Sequence, residues 1–276
     1  MKRDVITKVN GFHTMDGAGV RLSRVLGLNT TKDFDPFLLL DSYDSTDPAE
    51  YQAGFPGVPA RGMELITYVK NGTMRHRDNL GNDTTVESGE VQWMTACSGI
   101  LHTEAFLPVE HLVGVQIWLN VMNDEKMDDA DYHIIKNDDI EEIALEGGSL
   151  RLLAGRYEDH NGYMGKHQPL DMYDISIKAG ASVSIPTPDY ASVMVFSMSG
   201  NVKIGGTPVD ERSAVKLSQG DSIEISADTD SDILVLSSVE TGERVVWGNT
   251  VIMTSERDIE TAYRELEKGT FFKTKK

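Results

Sequence analysis

The residues best suited to chemistry in this chain are His102 and Glu104, which end the segment from Gly99 to Glu104. Side chains two positions apart in an extended strand point to the same face, so the imidazole and the carboxylate are expected to enter one cavity. One histidine and one carboxylate supply part of the two-histidine, one-carboxylate set that binds non-haem iron. The alternative is a salt-bridged pair without a metal, which is the more common role of buried charged residues.

His76 is the third candidate donor. It lies on the segment from Thr73 to Arg77, which the turn signal Asn71-Gly72 predicts to be the returning strand of a hairpin. If its ring enters the same cavity, His76, His102 and Glu104 complete a two-histidine, one-carboxylate site. If it lies behind Glu104 instead, it supports the carboxylate through a hydrogen bond and binds no metal itself.

The composition indicates a soluble, cytoplasmic protein that does not bind nucleic acid. The chain carries 26 basic and 44 acidic side chains, and its net charge of −18 repels phosphate backbones and anionic lipid. No apolar run is long enough to span a bilayer, and no secretion signal follows Met1. The single cysteine, Cys97, fits a reducing compartment, and its small, apolar neighbours favour a packed thiol over a nucleophile.

Short strand-like segments between turn formers predict an all-β protein. Asp16-Gly17-Ala18-Gly19 and Ser88-Gly89 separate segments of alternating polarity, and Leu112 to Val121 has the continuous apolar character of a buried strand. This spacing is typical of an antiparallel barrel or sandwich and differs from the longer spacing of βαβ units.

The chain also contains a weak internal repeat. Asn71-Gly72 followed by Ser88-Gly89 resembles Ser199-Gly200 followed by Gln219-Gly220, each pair bracketing short strands. The recurrence predicts two similar β-modules, residues 1–130 and 131–276. No histidine follows His167, and we expect a histidine-rich site in the first module.

The last element is predicted to be a short C-terminal α-helix. Ser255 is suited to the N-cap, Asp258 stands at the capping-box position, and Gly269 is placed to end the helix. One face carries apolar residues at helical spacing, namely Ile259, Ala262, Tyr263 and Leu266.

Taken together, these residues resemble the pirin family, whose members consist of two tandem cupin (RmlC-like jelly-roll) β-barrels. The resemblance covers essentially the whole chain, and its most specific segment is Val91 to Glu104. The supporting segments are Asp35 to Asp41, Gly54-Phe55-Pro56, Arg61-Gly62, His76-Arg77-Asp78, Gln116 to Asn120 and Val251 to Thr254. We expect the pocket of the first barrel to be lined by four residues from this region, namely Arg61, Glu64, Trp93 and Met94.

The resemblance implies one bound Fe(II) or other divalent metal, held by three histidines and a glutamate. His102 and Glu104 match two ligand positions, and Glu104 is implied as the catalytic base. The other two ligands belong to a His-Pro-His sequence, at which this chain has Val58 and Ala60. Neither side chain has a donor atom, and two protein ligands fall short of the three or four that hold a catalytic metal. We therefore expect weak metal binding or none.

Two functions are consistent with this sequence. The first is a binding or regulatory protein with impaired or lost flavonol oxygenase activity, whose partner is a flat aromatic small molecule or a protein regulator. The alternative is an active quercetin 2,3-dioxygenase-type oxidoreductase that uses His76, His102 and Glu104, with Glu104 as base. A structural protein without a ligand is a third possibility. A monomer is expected in each case.

Overall fold

The computed structural model describes residues 1–273, which form short β-strands and, in that range, a single α-helix. The all-β prediction is therefore confirmed. In the first half of the chain the strands are β1 (Val5–Asn10), β2 (Phe12–Asp16), β3 (Val20–Leu26), β4 (Phe37–Ser45), β5 (Phe55–Ala60), β6 (Met63–Asn71), β7 (Met74–Asp78), β8 (Asp83–Val86), β9 (Val91–Thr95), β10 (Ile100–Phe106), β11 (Leu112–Asn120) and β12 (Asp131–Ile135).

The second half contains the remaining strands and the helix. The strands are β13 (Glu141–Leu145), β14 (Gly148–Ala154), β15 (Arg156–Tyr157), β16 (His160–Asn161), β17 (Leu170–Ile177), β18 (Ser182–Pro186), β19 (Ser192–Ser199), β20 (Val202–Ile204), β21 (Thr207–Val209), β22 (Ser213–Leu217), β23 (Ser222–Ala227), β24 (Ser231–Ser238), β25 (Val246–Gly248) and β26 (Val251–Met253). The helix α1 is Glu256–Glu267, and short 3-10 turns occur at Leu28–Thr30, Pro48–Glu50 and Asn137–Asp139. No helix within residues 1–273 has the length and hydropathy needed to cross a membrane.

The chain forms two compact units that are not continuous in sequence. The first unit contains His13–Thr31, Phe37–Ile135 and Thr241–Lys276, and the second contains Met1–Phe12, Lys32–Pro36 and Lys136–Glu240. The division predicted from the sequence is a single one, into residues 1–130 and 131–276. The two chain termini lie in units other than those predicted. At the N-terminus, β1 pairs with β22 in the second unit, and at the C-terminus the chain from Thr241 onward returns to the first unit.

Each unit has a sheet of seven strands and a sheet of four strands, with matching topology. In the first unit the orders are β12-β9-β6-β11-β4-β3-β2 and β5-β10-β7-β8. In the second unit they are β1-β22-β19-β24-β17-β14-β13 and β18-β23-β20-β21. Strand by strand, β10 of the first unit therefore corresponds to β23 of the second, and β1 occupies the position that β12 holds in the first.

This correspondence explains why the internal repeat in the sequence is weak. Gly72 and Gly200 are equivalent, because each follows a strand of the seven-strand sheet and precedes one of the four-strand sheet. Gly89 and Gly220 are not equivalent, because Gly89 precedes β9 while Gly220 precedes β23, the counterpart of β10.

The two units differ in the residues that face their interiors. In β10 the buried positions include His102 and Glu104, whereas the buried positions of β23 are Ile223, Ile225 and Ala227. The interior of the second unit is a continuous apolar cluster around such residues. Of these two equivalent strands, only β10 in the first unit carries polar residues at its buried positions.

The C-terminal helix begins and ends as the sequence predicts. The Asp258 backbone amide donates a hydrogen bond of 3.2 Å to Ser255 Oγ, and Gly269 adopts a φ of 67° after the last turn. Ala262 is fully buried and packs with Ile259 and Leu266 in an apolar cluster of the first unit. Tyr263 is 41% exposed, and its hydroxyl donates to the Gly248 carbonyl.

Candidate functional site

Strand β10 brings His102 and Glu104 to the interior of the first unit. Burial alternates along this strand, with both residues buried and their neighbours Leu101 and Thr103 exposed. His102 is 3% exposed and Glu104 is 2% exposed. The strand periodicity of two therefore places both side chains on the inward face, as predicted.

Strand β7 places two more polar side chains beside this pair. In the antiparallel register, His76 lies opposite Glu104 and Asp78 lies opposite His102. His76 Nε2 is 3.0 Å from Asp78 Oδ2, while His76 Nδ1 is 3.7 Å from Glu104 Oε1. The two imidazole rings are nearly parallel, with centroids 6.2 Å apart. Both nitrogens of His76 therefore face carboxylates rather than open space.

Glu104 is held by two side-chain amides. Gln92 Nε2 donates to Glu104 Oε1 at 2.5 Å, and Gln116 Nε2 donates to Oε2 at 3.0 Å. Burial raises the pKa of Glu104, but the imidazoles of His76 and His102 and the Gln92 amide outweigh it and hold the pKa at about 2. The carboxylate is therefore ionised throughout the neutral range.

The pKa values of the two histidines shift in opposite directions. Burial lowers the pKa of His76, but hydrogen bonding and charge from Asp78 and Glu104 outweigh burial and leave the pKa above its ordinary value. For His102, burial dominates and lowers the pKa. His102 Nδ1 is buried and has no hydrogen-bond partner among the described residues.

Val58 and Ala60 stand at the two positions where the pirin family, which the sequence resembles, has histidine. Both lie on β5, next to β10. Val58 is directly opposite His102 in the antiparallel register, and Ala60 is opposite Ile100. Val58 contacts the cavity described below, whereas Ala60 is fully buried in an apolar cluster that contains Met63. The backbone thus brings position 58 to the site, but the side chain offers no donor.

The donors present do not fit a tightly bound metal ion. Within residues 1–273, no group of three or more histidine, cysteine, aspartate or glutamate side chains is arranged to hold one. His76 is hydrogen-bonded to Asp78, and its ring stacks on Tyr132 with centroids 4.2 Å apart.

A cavity of about 350 Å³ opens at this site. Its polar lining includes His102, Glu104 and Gln116, and its apolar lining includes Val58 and Trp118. The remaining lining residues are Asp16, Gly17, Ala18, Asp41, Phe55, Pro56, Gly57, Pro59, Leu65, Asn249 and Thr250. This volume lies within the range of small-molecule binding pockets.

Arg61 was expected to line the pocket but projects elsewhere. It is 2% exposed, and its guanidinium donates to Glu265 at 2.8 Å and to the Phe271 carbonyl, with its carbon 4.0 Å from the centre of the Phe271 ring. Arg61 therefore holds the C-terminal segment against the first unit.

The other three expected pocket residues are buried elsewhere in the first unit. Trp93 Nε1 and Thr95 Oγ1 donate to Glu64 Oε1 at 2.9 and 3.1 Å. Met94 is fully buried in the apolar cluster of Ala60 and Met63. None of Glu64, Trp93 or Met94 is among the residues that line the cavity.

Several residues of the site were not singled out from the sequence. Asp78 stands two residues after His76 on one strand, so the spacing that revealed His102 and Glu104 applies to it as well. Gln116 and Trp118 have the same spacing on β11 and both line the cavity. Asp16 and Asp41 come from distant segments, and no local pattern connects them.

Comparison with known proteins gives consistent matches over most of the chain. The pirin family model matches residues 19–119, and the model of the pirin C-terminal cupin domain matches residues 172–272. A Pseudomonas aeruginosa protein provisionally named quercetin 2,3-dioxygenase is 35% identical, covering 97% of this chain and 97% of its own length.

Solved structures share the fold. The crystal structure of a quercetin 2,3-dioxygenase from Acinetobacter baumannii aligns with a TM-score of 0.92 at 27% identity, over 98% of this chain and 99% of that one. A bacterial pirin from Escherichia coli in complex with nickel(II) aligns with a TM-score of 0.66 at 22% identity, over 85% of this chain and 98% of that one.

Proposed function

The chain belongs to the pirin family of tandem cupin proteins, and we propose that it is a binding or regulatory member whose metal-dependent flavonol oxygenase activity is impaired or lost. The family's pirin and quercetin 2,3-dioxygenase-like members imply a divalent metal cofactor. In this chain Fe(II) or a similar ion would have only His102 and Glu104 as ligands at the family positions.

The observation that carries the proposal is the position of Val58 opposite His102. A histidine there would be placed to share a metal with His102, whereas valine presents only methyl groups to the cavity. His76 offers a poor replacement because both its ring nitrogens face carboxylates. Substitution of residues that only hydrogen-bond to metal ligands commonly lowers metal affinity by about ten- to a hundredfold. The loss of two ligands should lower metal affinity by more than that.

The cavity itself supports small-molecule binding. Phe55, Val58, Leu65 and Trp118 give it apolar walls, and Asn249 supplies an amide group for orientation. Trp118 is stacked on Trp247 with centroids 5.3 Å apart, which fixes an aromatic surface at the cavity. A flat aromatic molecule matches this shape. A protein regulator as partner, a cytoplasmic location and a monomeric state stay predictions from the sequence.

The test restores the missing ligands. Metal content and the loss of the quercetin absorbance band are measured for the natural chain and for Val58→His with Ala60→His, each after anaerobic loading with Fe(II). We expect metal binding and turnover only in the double variant. Val58→Gln with Ala60→Gln is the matched control, because it adds polar side chains of similar length without imidazoles.

The outcomes separate the two functions. Turnover of quercetin by the natural chain, or about one tightly held metal ion per chain, would overturn the proposal and favour the alternative site of His76, His102 and Glu104. Ala60 is fully buried, so the double variant is first checked for its unfolding temperature. If it does not fold, the measurements on the natural chain still decide the question.

A further inference from the structure

The charges around the cavity are strongly one-sided. Three carboxylates line it, from Asp16, Asp41 and Glu104, and among the described residues that line it none is lysine or arginine. Glu104 is 2% exposed, and its hydrogen bonds with Gln92 and Gln116 come from neutral amides. These amides orient the carboxylate without cancelling its charge.

The nearest cations leave this excess negative charge in place. Arg24 is hydrogen-bonded to Asp41 at 2.7 and 2.8 Å and to Asp16 at 2.6 Å, so one positive charge meets two negative ones. His76 lies between Glu104 and Asp78, so even a protonated imidazole meets two carboxylates. Arg24 with its two aspartates, and His76 with its two carboxylates, each therefore carry at least one net negative charge when the carboxylates are ionised.

The walls of the cavity add a second, independent feature. Trp118 and Phe55 present aromatic side chains to the cavity, and aromatic faces attract cations through their quadrupoles. His102, at 3% exposure, also lines the cavity, and its buried Nδ1 has no partner in residues 1–273. The cavity thus combines aromatic surface, excess negative charge and an unpaired polar atom.

We infer that the ligand of this cavity is a flat aromatic cation, a ring system with a quaternary or protonated nitrogen, and not an anionic flavonol. This inference rests on the proposed function, because a divalent metal at His102 and Glu104 would cancel the local negative charge and favour an anion. Without the metal, the carboxylates that remain repel an anion and attract a cation.

The experiment compares three bicyclic probes of similar size by calorimetric titration of the natural chain in the presence of a chelator. The probes are 1-methylquinolinium as the cation, 2-methylquinoline as the neutral isostere and quinoline-2-carboxylate as the anion. We expect the cation to bind about tenfold more tightly than the neutral probe, and the anion to bind most weakly. Added salt should weaken the binding of the cation more than that of the neutral probe.

A charge variant tests the cause of the preference. Asp16→Asn should weaken the binding of the cation about fivefold and leave the binding of the neutral probe nearly unchanged, because it removes one negative charge from the lining of the cavity. Asp83→Asn is the matched control: Asp83 pairs with Arg75 and Arg77 and does not line the cavity. It should change neither affinity.

The results distinguish this inference from the function on which it rests. Equal binding of the cation and the neutral probe, or tightest binding of the anion, overturns the charge preference and leaves an aromatic-binding pocket intact. Failure of all three probes to bind at ~5 mM overturns both the charge preference and the aromatic ligand. The metal and quercetin measurements decide the loss of oxygenase activity separately.

Discussion

Gln116 Nε2 donates a hydrogen bond of 3.0 Å to Glu104 Oε2, joining β11 of the seven-strand sheet to β10 of the four-strand sheet. Gln92 donates to the other carboxylate oxygen. A buried carboxylate with donors on both oxygens keeps its charge and its orientation. The conformation of Glu104 is therefore determined by the protein alone.

The first prediction concerns this hydrogen bond. Gln116→Leu should lower the free energy of unfolding by about 1–3 kcal/mol, because it leaves one oxygen of a buried carboxylate without its donor. Urea unfolding measures the change. Leu101→Thr is the control, because Leu101 lies on the outward face of β10 and is 36% exposed. Its free energy of unfolding should stay within about 0.5 kcal/mol of that of the natural chain. Equal effects of the two substitutions would contradict the role assigned to Gln116.

The second prediction compares Gly57, which lies within β5 next to Val58, with Gly62, which follows β5. Both have left-handed backbones, with φ of 82° at Gly62 and 61° at Gly57. A Cβ added at Gly62 would lie 2.0 Å from the Ile252 carbonyl oxygen, whereas one added at Gly57 would meet nothing within 4 Å. Gly57→Ala should cost about 1–2 kcal/mol from backbone strain alone. Gly62→Ala should cost more than about 3 kcal/mol, and thermal unfolding of the pair measures the difference.

The third prediction concerns acid stability. Burial raises the pKa of Glu265, but Lys273 and Arg61 outweigh it and hold the pKa below its ordinary value of 4.5. A depressed pKa means that the ionised group stabilises the folded state above about pH 4.5, and that this stabilisation is lost as the pH falls through the folded-state value.

Glu265→Gln should therefore destabilise the protein by about 1 kcal/mol at neutral pH, because it removes a charge-assisted hydrogen bond from the buried Arg61. The difference from the natural chain should shrink as the pH falls below the ordinary value of 4.5 and through the lower folded-state pKa. Urea unfolding across this pH range measures it. A difference that is constant with pH would show that the carboxylate charge has no part in holding the C-terminal segment.

The fourth prediction concerns the single thiol. Cys97 is fully buried, and burial raises the pKa of its thiol to about 12. A thiol-specific reagent at mildly alkaline pH should leave the folded protein unmodified and should modify one thiol per chain in denaturant. Rapid modification of the folded chain would show that this part of the first unit opens easily.

The sequence alone determined those features that depend on neighbouring residues. A period of two along β10 placed His102 and Glu104 on one buried face, and Ser255 marked the start of the helix through its cap. The side chains at Val58 and Ala60 were equally visible, because the presence or absence of a donor atom is a property of the residue itself.

Other features were decided only by the tertiary structure. Arg61 turned away from the expected pocket because Glu265 and Phe271, about two hundred positions later, offer its guanidinium an acceptor and an aromatic face. Asp16 and Asp41 meet at the cavity through strands that are distant from β10 in sequence. Pairing between distant strands depends on the packing of the whole unit, and a local pattern of residues carries no information about which distant segment completes it.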